Sequence, residues 1–413
     1  MLKTARIHWI TVTIVTALIS ATAGCGDKVV PLVGPWQRHT IDDTSRGADG
    51  VRLADINGDG LPDIATGWEE GGMIRVYLNP GPTAAKNAWP AVTAGRVETP
   101  EDAVLVDLDS DNVLDVVSSC EGKVKTLYAH WAPADIDDYL NPQAWQTEPF
   151  PAVAGAARWM FCLPLQIDGQ RGDDLVIGAK NDKAQIGWLQ SPVDPRDLAA
   201  WQYYPLADAG WIMSLIASDM DSDGNVDVVA SDRRGENRGC FWLENPGADA
   251  SQQKAPWPRH WVGGRDDEVM FATLADLDRD GLTDMLVAVK GQKILFFRRL
   301  NSDGTDWKTY SIVIPETAGT GKGIAVGDID LDGRSDIVFT CENAEDKMGV
   351  MWLSYAGKPT DAFWQAHDVS GLTGVKYDRI ELYDFDDDGD LDILTCEERN
   401  NLGVIWYENP THP

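Results

Sequence analysis

Basic residues are scarce in this chain. Lys and Arg number 35 against 66 Asp and Glu over 413 residues, a formal net charge of −31. A surface this acidic repels nucleic acid and anionic lipid, which argues against either as a partner. Histidine is scarcer still, with six in all. None has the paired spacing of a zinc protease. The G-x-S-x-G elbow is absent, and so are the glycine-rich loops that cradle dinucleotides and nucleotide phosphates. No CxxC or Cys/His cluster suggests zinc. Apart from Cys25, the cysteines are Cys120, Cys162, Cys240, Cys341 and Cys396. Five thiols spread this widely are no disulfide framework and read as small buried apolar side chains. Helical periodicity is weak throughout. Beyond the N-terminus no apolar run is long enough to cross a bilayer.

The N-terminus reads as a targeting segment, Met1–Gly24. Lys3 and Arg6 supply a positive start, Ile7–Ala21 is apolar, and small residues follow up to Cys25. Thr22-Ala23-Gly24-Cys25 resembles a bacterial lipobox, with Thr22 where Leu is preferred. The resemblance implies that Cys25 becomes a lipidated N-terminus and that residues 25–33 form a tether. It places the chain outside the cytoplasm, touching the membrane only through its lipid. Cleavage without lipidation, giving a soluble periplasmic or secreted chain, is the alternative.

An acidic pattern, D-x-[DN]-x-D-G-x-x-D followed by a short apolar run, dominates the rest. It appears at Asp55–Asp63, Asp107–Asp115, Asp219–Asp227, Asp276–Asp284, Asp328–Asp336 and Asp384–Asp392. A worn copy, with Gln166 and Gln170 replacing acids, ends at Asp174. The seven copies start 52 to 59 residues apart, a period that signals a repeat architecture. Each repeat holds four short β-rich runs: an apolar run into the loop, a β-branched run out of it, a third run, then a fourth after a variable loop. Four-stranded antiparallel repeats with little helix describe the blades of a β-propeller. Trp36, Trp89, Trp145, Trp201, Trp257, Trp307 and Trp364 are read as starting the fourth strands, and Trp188, Trp242, Trp352 and Trp406 as lying in third strands. Aromatics at fixed repeat positions pack between neighbouring sheets.

The chain ends on a third strand, Gly403–Tyr407, and its mature part begins with a fourth, Trp36–Ile41. The expected fold is therefore all-β: seven four-stranded blades over residues 34–413, closed by the N-terminal strand completing the last blade. Closure removes an exposed sheet edge.

Positions 1, 3, 5 and 9 of each loop carry carboxylates or Asn. Such oxygens suit a hard cation, and Ca2+ tolerates six to eight of them. Glycine at position 6 permits the turn, and Asn112 is a tolerable left-handed substitute. No Glu stands at position 12, and strands rather than helices flank the loop, so this is no EF-hand. The repeats resemble FG-GAP/VCBS repeats, the calcium-loop blades also found in integrin alpha subunits. That resemblance spans Gly34–Pro413. It implies mainly structural Ca2+ in the hairpin between first and second strands, in up to six loops. The implied ligands are Asp55, Asn57, Asp59 and Asp63; Asp107, Asp109, Asp111 and Asp115; Asp219, Asp221, Asp223 and Asp227; Asp276, Asp278, Asp280 and Asp284; Asp328, Asp330, Asp332 and Asp336; and Asp384, Asp386, Asp388 and Asp392. The loop at 166–174 keeps only Asp168 and Asp174 and is expected to bind weakly or not at all.

Six residues beyond position 9, where each second strand ends, stand Glu69, Glu121, Lys180, Arg233, Lys290, Glu342 and Glu398. All are charged, with bases in repeats three to five and acids in the others. The preceding loops add Asp49, Asp102, Arg158, Trp159, Trp211, Glu268, Lys322, Tyr377, Asp378 and Arg379. This face, opposite the acidic loops, reads either as a solvated rim cross-linked by salt bridges or as a polarised axial pocket. A pocket would hold a polar ligand such as a glycan or peptide. Calcium-loop propellers resembling this one also occur within polysaccharide lyases and sugar dehydratases. An enzyme here would have to use Lys180, Lys322, Tyr377 or Arg379 with a Glu partner. A binding or scaffold module is the favoured reading.

Overall fold

The computed structural model describes residues 34–170 and 172–412. The targeting segment and Cys25 lie outside them. The seven acidic loops join the first and second strands of seven four-stranded antiparallel sheets. Second strands are buried almost from end to end, as in Asp63–Trp68 and Asp284–Val289, because neighbouring blades cover both their faces. Fourth strands form the outer edge, and Gln146–Pro149 is exposed along its whole length. The core therefore lies between blades. One cluster joins Val104 and Val117 of blade two to Leu175 and Ile177 of blade three. Among the described residues no helix is long and apolar enough to cross a membrane.

The ring closes as expected. Gln37–Asp42 pairs antiparallel with Gly403–Glu408, matching His39 to Trp406 and Thr40 to Ile405, and so supplies the outer strand of blade seven. Ile41 is fully buried against Trp406 and Ala48. Cys120, Cys162, Cys240, Cys341 and Cys396 are free and buried.

The tryptophans need one correction. Only Trp307 begins a fourth strand; Trp36, Trp89, Trp145, Trp201, Trp257 and Trp364 stand one or two residues ahead of one. Most of these side chains act on the loop before the strand. Their indole N–H groups donate to the carbonyls of Ala85, Tyr139, Pro195, Gln253, Gly304 and Asp361 at 2.8–3.1 Å. These six rings thus carry their own hydrogen-bond partners, as buried indoles usually do, while the Trp36 indole N–H is buried without one. The third-strand tryptophans lie where expected. Trp242, Trp352 and Trp406 stack on the outer-strand His260, His367 and His39 at 4.1, 3.8 and 4.4 Å between ring centroids.

Every inner strand carries a register shift near the end remote from its acidic loop. The shifts fall after Asp49, Pro100, Trp159, Ile212, Val269, Gly321 and Tyr377. A bulge places an extra residue in one strand of the pair and re-aims its side chain. Seven bulges around one axis re-aim seven side chains toward it.

Candidate functional site

The acidic loops share one backbone plan. The position-1 carboxylate accepts main-chain N–H groups from positions 5 and 6, as Asp55 does from Asp59 and Gly60, and Asp276 from Asp280 and Gly281. Position 5 accepts from position 7, as Asp111 does from Val113. Position 6 is left-handed, with φ of 70° at Asn112 and 84–97° at Gly60, Gly224, Gly281, Gly333 and Gly389. Position 4 is left-handed too, although Ser110, Ser222, Arg279, Leu331 and Asp387 occupy it with φ of 57–65°. For side chains other than Gly this conformation costs roughly 1–2 kcal/mol each.

Position 9 holds the blade to its loop. Both oxygens of Asp63 accept main-chain N–H groups, from Ile56 at 2.9 Å and Asn79 at 2.7 Å. Asp227, Asp284 and Asp392 repeat the arrangement. These carboxyls are buried, and burial, with repulsion from the other loop acids, outweighs the backbone bonds. It pushes Asp63 up to about 6, Asp227, Asp284 and Asp336 to about 7, and Asp115 and Asp392 to about 8.

Such carboxyls hold protons more tightly folded than unfolded, where they titrate near roughly 4. Without a cation, stability is therefore greatest at low pH and falls as pH rises through 6 to 8. Metal-free protein is expected to melt lower at pH 8.5 than at pH 6, by on the order of 1 kcal/mol per carboxyl. Differential scanning calorimetry in chelator at the two pH values checks this, and a higher melting temperature at pH 8.5 contradicts it.

The donors fit a hard cation. In four loops the position 1, 3 and 5 or 1, 3 and 9 acids bring carboxylate oxygens within 4.8 Å of one another: Asp107, Asp109 and Asp111; Asp219, Asp221 and Asp227; Asp276, Asp278 and Asp284; and Asp328, Asp330 and Asp332. One oxygen each of Asp109, Asp278, Asp328 and Asp386 is buried with no hydrogen-bond partner. Some loops already hold part of a counter-charge. Arg196 bridges to Asp109, Arg298 to Asp278 and Asp280, and Lys86 to Asp386 and Glu408. The worn loop is different. The Gln166 amide donates to the carbonyls of Gln170 and Gly172 at 3.1 and 2.6 Å, and Gln190 donates to Asp168 at 2.6 Å. Amide N–H groups there draw together oxygens that a cation would otherwise gather.

On the opposite face an axial cavity of about 500 Å3 receives all seven ring residues, Glu69, Glu121, Lys180, Arg233, Lys290, Glu342 and Glu398. Main-chain bonds at the mouth of each hairpin set their place: Glu69 donates to the Gly47 carbonyl, Arg233 to Trp211, Lys290 to Glu268 and Glu398 to Lys376. A second tier comes from the bulges: Asp49, Glu101, Met160, Met213, Phe271, Lys322 and Asp378. Six of these stand six residues before position 1 of their loop. In blade five that residue is Met270, which is buried, and Phe271 lines the cavity instead.

Not every expected residue is there. Arg158 is exposed at the start of its strand and lies outside the cavity. Tyr377 is buried in blade seven, where its hydroxyl meets Tyr407 at 2.9 Å and donates to the Thr373 carbonyl. Arg379 sits against Phe271 and Gly323, and Asp102 forms a two-pronged pair with Arg52 at 2.8 Å. Strict strand alternation misplaces these side chains, because each bulge shifts the count by one. Glu101, Met160 and Met213 were findable by counting six residues back from each loop.

The cavity is polarised in both tiers. On blades three to five a basic rim overlies Met160, Phe161, Met213 and Phe271. On blades six, seven, one and two an acidic rim overlies charged groups. Most rim charges are paired. Lys180 bridges Glu121 and, at 3.2 Å, Glu101; Arg233 meets Glu268 at 2.6 Å; Lys290 meets Glu342 at 3.2 Å; and Lys376 meets Glu398. Lys322 bridges Asp378, whose carboxyl it holds well below the usual range against the effect of burial. Burial pushes Glu101 up to about 8 and raises Glu69, with Glu398 repelling it. Asp49 is raised well above the usual carboxylate range, by burial and then by Asp378 and Glu101.

Residues 55–118 and 276–339 match the family model of the FG-GAP-like repeat. No curated protein matches the chain. Among solved structures it is similar to BBS1N in a crystal structure of its complex with ARL6DN soaked with mercury. That likeness has a TM-score of 0.51 at 10% identity and covers 90% of this chain and 96% of that one. The lead-soaked structure of the same complex gives 0.51 at 11% identity over 91% and 97%. At such identity the likeness speaks for the fold alone. Each matched stretch runs from one acidic loop, through the next, into the second strand of the following blade, and with the ring of seven four-stranded blades this makes the chain an FG-GAP repeat β-propeller.

Proposed function

We propose that this propeller is an extracytoplasmic, calcium-stabilised binding or scaffold module that takes a polar ligand, a glycan or peptide, in its axial cavity. The convergence of two tiers of side chains on one cavity, polar on one side and apolar-floored on the other, carries the reading. A site of a few hundred Å3 with apolar walls and a few placed polar groups is the usual form of a ligand pocket. Support for Ca2+ is the all-oxygen donor set and the buried, unpartnered oxygens of Asp109, Asp278, Asp328 and Asp386. The place outside the cytoplasm rests on the targeting segment and Cys25.

Binding is favoured over turnover because the groups a carbohydrate lyase would use are engaged elsewhere. Lys180 and Lys322 hold ion pairs, and Tyr377 and Arg379 are away from the cavity. The rim bases are paired as well, so a ligand must displace Glu268 and Glu342 or accept them as part of its own polar frame.

The test is an oligosaccharide and peptide array, run with and without Ca2+, on wild type and on the Arg233→Ala/Lys290→Ala double variant. We expect a ligand whose binding the double variant weakens at least tenfold, equal to about 1.4 kcal/mol. A ligand bound equally by both proteins would place recognition outside the cavity. Product formation from any bound glycan would favour the lyase reading.

A further inference from the structure

We propose that Asp49, Glu69 and Glu101, in the acidic half of the axial cavity, form a divalent-cation site separate from the acidic loops. One carboxylate oxygen from each lies within 4.8 Å of the others, on the cavity wall. All three are hard oxygen donors of the kind Ca2+ and Mn2+ take.

The ion pairs around them supply the second observation. Three lysines face this half, and each is committed. Lys180 is held by Glu101 and Glu121, Lys322 by Asp378, and Lys376 by Glu398. Asp49 and Glu69 are left with no base within 4.0 Å among the described residues. Asp49 is only 8% exposed, yet it lines the cavity, and among the described residues no N–H or hydroxyl group donates to its carboxylate. Its polar neighbour is the Asp378 carboxylate, another acceptor, which Lys322 already occupies. A buried carboxylate facing only acceptors and a cavity is satisfied by a proton or by a cation entering from that cavity. Two further carboxylates within reach make the cation the better fit, since one divalent ion offsets two like charges at once. Glu101 would be shared between the ion and Lys180.

The site stands whether or not a glycan or peptide binds, so the test uses metal alone. Full-length wild type and the Asp49→Asn/Glu69→Gln double variant are equilibrated with Mn2+. Bound ions per chain are then counted by elemental analysis after gel filtration. The variant is expected to hold one ion fewer, with the loops unaffected. Equal counts overturn the proposal. Melting in EDTA gives an independent reading. If the carboxylates await a cation, neutral isosteres relieve their repulsion and the variant melts a few degrees higher than wild type. If they serve only as structural acceptors, it melts lower, and the proposal falls. Glu69→Gln alone, at a strand end on the cavity mouth, repeats both measurements should the double variant fold poorly.

Discussion

Stripping divalent cations with EDTA is expected to lower the melting temperature by roughly 20 °C. A ligand that binds only the folded state stabilises it by about 2.7 kcal/mol per site at a hundredfold excess over Kd. Six loops acting together would supply about 16 kcal/mol on that scale, and a chain this long has an unfolding entropy that converts this to some 20 degrees. The loops should not contribute equally. Those containing Asp109, Asp278 and Asp386 already hold an Arg or Lys, which partly replaces the ion. The loop at Asp219–Asp227 gathers three carboxylates with no such bridge. Asp221→Asn should therefore remove more of the calcium-dependent shift than Asp386→Asn. Asp168→Asn, in the amide-stapled loop, should remove none. A melting temperature indifferent to EDTA would mean that the buried oxygens of these loops are satisfied without metal.

Deleting Gly34–Asp42 should abolish the single cooperative unfolding transition. The deletion strips the outer strand from blade seven and leaves Gly403–Glu408 as an open edge. Unpaired strand edges recruit other chains, so the truncated protein should also aggregate. Ile41 adds a packing loss, since it is 1% exposed against Trp406, Val404 and Ala48. Ile41→Ala alone is expected to cost 2–5 kcal/mol, within the range for truncating a buried aliphatic side chain. A truncated protein that melts in one sharp transition at the wild-type temperature would show that the ring does not depend on this joint.

The periodic features were legible in the residues. Spacing of the acidic loops located seven blades, and an unpaired third strand at one end with a spare fourth at the other located the closure. The upper charged tier was legible because it stands at a fixed distance from Asp63, Asp115 and their counterparts. The lower tier was legible only in part: Asp49, Lys322 and Asp378 were expected on this face, while Glu101, Met160, Met213 and Phe271 were not, because a bulge breaks the alternation that assigns side chains to faces. Asp102 and Arg158 were expected where Glu101 and Met160 stand. Charge pairing was beyond reach for another reason: Lys180 meets Glu101 across 79 residues, on a neighbouring blade. Only the assembled ring brings them together. The left-handed residues at position 4 also escaped notice, since Arg279 and Leu331 give no local hint of that conformation.

The bulge that hid the floor of the cavity makes it portable knowledge. Each acidic loop is a ruler with a mark on either side, six residues upstream of its position 1 and six downstream of its position 9. The upstream mark reaches the cavity floor in six blades of seven, and the downstream mark reaches the rim in all seven. Neither mark is one of the loop's own oxygen donors. Substitutions can therefore rewrite the cavity one blade at a time while the scaffold that holds the ring together stays as it is. In chains built on the same repeat, the chemistry of the axial chamber becomes readable from the letters alone.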